Sequence, residues 1–374
     1  MEQLNRRQWL RTAGLAGAAT LAGSWTNLAG NPIGLEQAGS SRQDGFIRLN
    51  ANENPLGPSE KVRAAMMEAF DVAYRYPFSW QQELTKKLAR KEGVTPEHIV
   101  VTAGSVEGLR ISGLAYSWQG GEIVAADPTF QALLAYAEQF GAFVHRVPLD
   151  DLVHDLDAME RRITSNTRLV FICNPNNPTG TILPAGRLRD FCTSVSRRTV
   201  VFADEAYYDF IQEPGYPSMV ELVKDGLNVI VSRTFSKVYG LAGLRIGYLI
   251  ARPDIARRLN NARVAFNNVV GLYAAMAALE DEAFYRESLK NNAASQRIIY
   301  QTLEQMNLLS IQSHGNFVFF QSRRDISELI EEMKQEKVLI GRPFPPLMDW
   351  CRLSTGTVAD TEQACRALKK VLAG

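Results

Sequence analysis

Cysteine and histidine are scarce in this chain, four of each in 374 residues, and neither is arranged for a metal. Cys173, Cys192, Cys351 and Cys365 form no C-x-x-C pair, and His98, His145, His154 and His314 show no ligand spacing, so a zinc site is disfavoured. Charge of one sign is missing as well: 41 Lys and Arg against 40 Asp and Glu leave a formal net charge of +1. Without a basic stripe interleaved with aromatics, nucleic acid is not an expected partner, and an anionic ligand must be held by local arginines. The apolar run from Thr12 to about Leu28 is too short and too Gly-rich for a membrane span. A nicotinamide site would need G-x-G-x-x-G after the first strand, whereas Gly240, Gly243 and Gly247 have other spacings and precede a strand.

What is present fits a soluble enzyme-sized protein. Hydrophobic residues make up 46% and charged residues 22%, and the length suits two packed domains with a terminal segment. Near the start, Asn5-Arg6-Arg7-Gln8-Trp9-Leu10-Arg11 ahead of a Gly/Ala/Leu run resembles a twin-arginine export signal. Residues 1–30 are therefore expected to direct export to the periplasm, and the protein stays cytoplasmic if they are only a frayed helix. A clean cleavage site is lacking, and in an oxidising compartment the four cysteines leave three disulfide pairings open. Residues 31–46, rich in Gly, Ser and Gln, read as a linker.

From there helical stretches at 60–70, 80–91, 129–140 and 184–197 alternate with short apolar runs at 98–102, 122–126, 169–172, 200–203, 228–231 and 248–250. Continuous apolar strands between helices predict a mostly parallel sheet covered on both faces. The expected organisation is an N-terminal arm at 47–74, a large α/β domain at 75–260 and a smaller α+β domain at 261–374, with a long helical region near 253–306 ahead of the smaller domain's apolar runs.

Three groups fall just after predicted strands, where open α/β sheets bind ligands. They are N-P-N-N-P-T-G at 174–180, Asp204-Glu205-Ala206-Tyr207, and Ser232-Arg233-Thr234-Phe235-Ser236-Lys237. Singly they read as a turn, a helix start and a solvated lysine. Together they match the needs of an aldehyde cofactor on a phosphorylated pyridinium ring. Lys237 can form the Schiff base, and Asp204 can keep the ring nitrogen protonated so that the ring draws electrons. Tyr207 and Asn177 can hydrogen-bond the ring oxygen, and Thr234, Ser236 and Arg245 suit the phosphate.

These segments, with L-N-A-N-E-N-P-L-G-P at 49–58, Y-R-Y-P at 74–77, G-S-V-E at 104–107, S-K-V-Y-G-L-A-G-L-R-I-G-Y at 236–248 and R-L-S-T-G-T at 352–357, give the chain a resemblance. It resembles a class I/II aminotransferase of pyridoxal-phosphate (PLP) fold type I, closest to the histidinol-phosphate aminotransferase family, from about Leu49 to the C-terminus. The resemblance implies that Lys237 both bonds the cofactor and shuttles a proton. It implies Asp204 at the pyridinium, Tyr207 and Asn177 at the ring oxygen, and Ser105, Val106, Thr234, Ser236 and Arg245 around the phosphate with Glu107 nearby. Tyr76 would reach a neighbouring subunit's cofactor, which makes the protein a homodimer. Arg352 would bind the substrate's anion, with Arg342 and Asn52 as further substrate contacts; the substrates would be an amino donor and a 2-oxo acid acceptor. Phe130 stands where relatives often carry a tyrosine on the ring, which keeps stacking and drops a hydroxyl. Decarboxylation of a phosphorylated amino acid and an exported, non-catalytic PLP-binding protein remain the alternative readings.

Overall fold

The computed structural model describes residues 45–373, so the expected signal at 1–30, and the linker up to residue 44, lie outside the described residues. Twelve strands follow in order: β1 (Ile47–Arg48), β2 (Ile99–Thr102), β3 (Glu122–Asp127), β4 (Phe143–Pro148), β5 (Thr167–Cys173), β6 (Val200–Asp204), β7 (Val229–Thr234), β8 (Gly247–Ala251), β9 (Ser310–Ile311), β10 (Phe317–Gln321), β11 (Val338–Leu339) and β12 (Trp350–Ser354). Seven of them form one sheet in the order β2-β8-β7-β6-β5-β3-β4. Every neighbouring pair in it is parallel except the two made by β8, which runs against both β2 and β7.

The apolar runs produce this sheet because alternate residues face opposite sides and both sides are covered. On one side Val170, Ile172, Val201, Val229 and Val231 pack with Leu84 and Leu88 of helix Phe78–Glu92 and with Leu188 and Phe191 of helix Ala185–Ser196. On the other, Leu169, Phe171, Phe202 and Ile230 pack with Leu109 of helix Ser105–Ser117, Leu133 of helix Ala132–Gln139 and Leu259 of helix Pro253–Asn261. Phe171 and Phe202 are wholly buried with ring centroids 5.9 Å apart. Truncating either to Ala costs about 3–5 kcal/mol by the usual toll of an aromatic-sized cavity.

A second, antiparallel sheet, β12-β10-β9, has its own core of Val318, Phe320, Leu353, Leu329 and Ile299 under helices Ile326–Gln335 and Glu282–Gln305. This is the smaller C-terminal part of the fold. β1 pairs in parallel with β11, which ties the N-terminal segment to it.

Three local details differ from the sequence expectation. The helical region at 253–306 divides into Pro253–Asn261, Val269–Leu279 and Glu282–Gln305, because Asn268 and Asp281 each accept a backbone N–H three residues on and so start a new helix. β4 was missed because it is an edge strand with the burial alternation of one wet face, Phe143 lying exposed and Val144 buried. Helix Ser105–Ser117 was missed for its glycines: a Cβ on Gly108 would come within 2.7 Å of Leu249, so the residue that weakens the helix signal is the one that lets the helix lie close on β8. All four cysteines are buried and unpaired.

Candidate active site

The ends of β5, β6 and β7 open on one cavity of about 830 Å³, large enough for a substituted pyridine ring and a small substrate. Asp204 is the last residue of β6 and Lys237 lies in the turn after β7, and both line it. Another cavity, of about 870 Å³, sits at the opposite ends of the strands beside Glu122, Thr167, Val200 and Asn228, and holds none of the candidate residues.

Asp204 is 2% exposed, and its Oδ1 has no hydrogen-bond partner. Burial pushes the carboxyl up to about 7, against the pull of the Ala206 N–H. A buried carboxylate oxygen facing a cavity without a partner is the arrangement a protonated ring nitrogen satisfies. Burial, and after it the Arg352 guanidinium, brings the Lys237 amine down to about 8, which makes it a usable nucleophile and base near neutrality. Lys237 Nζ donates to the Asn52 carbonyl at 2.9 Å.

Tyr207 is buried against Phe317, edge to face at 5.3 Å between centroids. Its oxygen accepts from Asn52 Nδ2 at 3.0 Å and from Asn177 Nδ2 at 3.3 Å, which leaves its own proton available to a ring oxygen. Burial pushes the phenol up to about 12, so it stays protonated. Cys173 also reaches the cavity wall, but burial holds its thiol far above its ordinary range and it remains an inert thiol.

The anion cradle forms where β2 turns into helix Ser105–Ser117. The helix N-terminus presents unpaired N–H groups and a partial positive charge, and Ser105 and Val106 line the cavity there. Arg245 closes the other side. Its Nη1 donates to Ala242 O at 2.6 Å and to Ser236 Oγ at 3.4 Å, and its Nη2 to Ala103 O at 3.3 Å. Gly104 caps the helix at φ +78°, and a Cβ there would run into the Arg245 guanidinium, so only glycine fits both the turn and the cradle. Thr234 lies beneath, its Oγ1 accepting the Ser236 N–H at 3.1 Å. These groups fit a phosphorylated pyridinium aldehyde: an orphaned carboxylate, an amine, a phenol and an anion cradle around one space.

Arg352 lies on β12, 8% exposed, and reaches the same cavity. Its Nη1 donates to Asn177 Oδ1 at 2.8 Å and its Nη2 to Asn50 O at 2.9 Å, while Nε has no partner. Arg342 lines the outer cavity, exposed and stacked on Phe344 at 4.4 Å; Phe344 also carries Arg352 at 5.0 Å. Asn52 and Phe130 complete the wall.

Three of the sequence candidates are not in the cavity wall. Thr234 acts beneath it, as above. Glu107 Oε2 accepts the Ala103 N–H at 2.6 Å, bracing the turn that holds Gly104. Tyr76 is 76% exposed, next to Phe78 and away from this chain's own cavity.

Sequence reasoning gave no role to Ser354, whose Oγ bonds Asn52 twice, although it stands two residues after Arg352 and so shares its face of β12. It also passed over the pair behind the site. Arg233 Nη2 lies 2.7 Å from Glu205 Oε2, and both side chains are over nine-tenths buried. Met219 N and Ser218 Oγ donate to the Glu205 carboxylate at 2.7 and 2.8 Å, and Arg233 stacks on Tyr208 at 4.1 Å. Each partner directly follows or precedes a candidate residue, Asp204 in the cavity wall or Thr234 beneath it.

Comparison with known proteins agrees with this geometry. The family model for aminotransferase class I and II matches residues 44–368. The histidinol-phosphate aminotransferase of Moorella thermoacetica is 40% identical over 348 residues, 92% of this chain and 90% of the relative. That of Caldicellulosiruptor saccharolyticus is 37% identical over 87% of this chain and 92% of its own. Among solved structures, the Sinorhizobium meliloti histidinol-phosphate aminotransferase in complex with pyridoxal-5'-phosphate superposes with a TM-score of 0.82 at 28% identity, covering 88% of this chain and 91% of that one.

Proposed function

The chain belongs to the class I and II aminotransferases, and on that footing we propose that it passes the amino group of a small amine bearing a phosphate or carboxylate to a 2-oxo acid. It is a PLP-dependent transaminase. The observation that carries the residue assignments is the meeting of Lys237, Asp204 and Arg352 on one cavity. The cofactor, when bound, supplies the carbonyl carbon that receives the amine and a ring that withdraws electrons from the substrate's Cα.

The chain's own groups do the rest. Asp204 holds the proton on the ring nitrogen, and Tyr207 donates its hydroxyl hydrogen to the ring oxygen, with Asn177 beside it. Ser105, Val106, Ser236 and Arg245 hold the phosphate, with Thr234 and Glu107 supporting the cradle. Phe130 covers a ring face. Lys237 would hold the cofactor through its amine and, when free, would move the proton at the substrate Cα. Arg352 takes the substrate's anionic end as a planar, two-pronged donor, and Arg342 adds a second positive charge at the mouth. The relatives' name makes histidinol phosphate the first donor to try.

Two copies are proposed to pair so that Tyr76 reaches the partner's cofactor phosphate. Support comes from an exposed aromatic cluster: Tyr76 and Phe78 stack at 5.8 Å, Phe266 meets Phe78 edge-on at 5.1 Å, and Tyr74 is 75% exposed. Export through the twin-arginine route is proposed on residues 1–30 alone.

The test is a half-reaction screen. Cofactor-loaded, full-length protein is mixed with single amino acids, histidinol phosphate and other anionic amines, and the deaminated product and the cofactor spectrum are followed. Stoichiometric conversion of donor to its carbonyl product supports the reading. Release of CO2 without amino transfer, or no conversion of any donor, overturns it.

A further inference from the structure

Residues 50–54 cross from the small sheet to the catalytic turn. Asn50 O accepts from Arg352, and Asn54 Nδ2 donates to Val238 O and Ser288 Oγ, each at 2.8 Å. Between them Asn52 is 1% exposed and left-handed, at φ +52°. Every polar atom it has is engaged. Its N–H donates to Ser354 Oγ at 2.8 Å, its Oδ1 accepts from the same Oγ at 2.6 Å, its Nδ2 donates to the Tyr207 hydroxyl, and its carbonyl accepts from Lys237 Nζ.

We propose that Asn52 is a positioning residue, not a substrate contact: its carbonyl seats the free Lys237 amine and its side chain seats the Tyr207 hydroxyl, both held by Ser354. The inference rests on the transaminase reading for its catalytic meaning and on the hydrogen bonds alone for its geometry. A lysine amine on a flexible stem has no preferred direction for its lone pair. Donating one N–H to a carbonyl fixed at both ends of its residue turns the lone pair away from that carbonyl, toward the cavity. The residue type is doubly constrained. A left-handed backbone favours Gly, Asn or Asp, and of these only Asn supplies a donor for Tyr207 and an acceptor for Ser354 at once. All four of its polar atoms are committed to the protein, whereas Arg352 keeps an Nε without a partner. Because Ser354 and Arg352 share a face of β12, the strand that presents the anion-binding arginine also sets the direction of the base.

The charged groups facing the amine are Arg352, Glu53, Asp204 and Arg245, with the Tyr207 ring 5.3 Å away. A test must therefore read the amine itself. In cofactor-free, full-length protein, Lys237 is acetylated with acetic anhydride across a pH series and its modification is read by peptide mass spectrometry. Asn52→Gly keeps the left-handed backbone, loosens the carbonyl and is expected to lower the pH of half-maximal labelling by about one unit, since a carbonyl acceptor favours the charged amine. Asn52→Asp keeps the Ser354 bond, adds a carboxylate and is expected to raise it by about as much. In the loaded enzyme Asn52→Gly should lose kcat by at least tenfold, on the order of a general-base contribution, with KM for the amino donor little changed. Ser354→Ala should shift labelling in the same direction as Asn52→Gly without touching Asn52. Unmoved midpoints, shifts of one sign in the two Asn52 variants, or a change confined to KM would overturn the proposal. Since labelling needs no substrate, it decides the matter even if every donor fails in the half-reaction screen.

Discussion

Lys237 and Asp204 enter one cavity from adjacent parallel strands, the carboxylate at the last residue of β6 and the amine in the turn after β7. Residue Glu205, directly after Asp204, is tied to β7 by its N–H to Ser232 O at 3.0 Å. The two reactive groups therefore stand on one rigid support, as a site that must hold opposite ends of a single ring requires.

Removing the amine separates chemistry from folding. Lys237→Ala is expected to bind cofactor only reversibly and to lose at least 10²–10⁴-fold in turnover, the general acid–base share alone, while its melting temperature stays close to wild type. Borohydride treatment followed by mass analysis should fix cofactor on Lys237 in wild type and nowhere in the variant; retained activity would refute the role.

Asp204 should make the cofactor-free protein lose stability as pH rises. Its folded value of about 7 exceeds the ordinary 3.8, so between about pH 4 and 7 the folded state keeps a proton the unfolded chain has lost. Stability then falls through that window, by at most about 4 kcal/mol. Asp204→Asn should melt higher than wild type at pH 8 without cofactor and equal it near pH 4. Parallel melting curves across that range would remove Asp204 from the account.

Arg352→Lys keeps the charge and gives up the fork. Its kcat/KM for an anionic donor should fall roughly ten- to hundredfold, the worth of about one charge-assisted bond and the unpaired Asn177. An uncharged donor should lose much less, and equal losses would mean the residue does not read the anion.

Gly104→Ala tests the cradle. The added methyl meets the Arg245 guanidinium and the turn is left-handed, so cofactor affinity in an equilibrium titration should weaken about tenfold or more, a loss of about 1.4 kcal/mol or beyond. Unchanged affinity would show that the helix terminus and Arg245 do not share the phosphate.

Arg233→Met leaves Glu205 charged in a buried setting. The expected cost is about 3–5 kcal/mol in a denaturant titration, whereas Arg233→Met combined with Glu205→Gln should recover part of it. A single variant as stable as wild type would make the pair incidental.

The alternation of apolar runs and helices was enough to give the doubly covered parallel sheet, because residues buried on both faces leave an unbroken apolar signature. Lys237, Asp204 and Asn177 were legible for another reason, since the chemistry demands those side-chain types at strand ends, while Arg352, inside β12, was reached through the resemblance; here the four share a cavity. Ser354 and the Glu205–Arg233 pair were harder to see, since hydroxyls and surface-type ions are common everywhere and only burial reveals what they hold. Asn52 was expected as a substrate contact because the resemblance through residues 49–58 implied it; the four bonds it makes are all to residues at least 155 positions away, which no local pattern reports.

β2 has a single partner in its sheet, and that partner is β8, the one reversed strand. The turn and helix that form half of the phosphate cradle hang from β2; during synthesis the helix can already meet Leu133 and Phe171, but its strand has no partner until Ala251 has been made. Cofactor capture is thereby postponed to the closing of the sheet, and nascent chains stopped earlier would carry the lysine, the carboxylate and the tyrosine without a place to anchor what they act through.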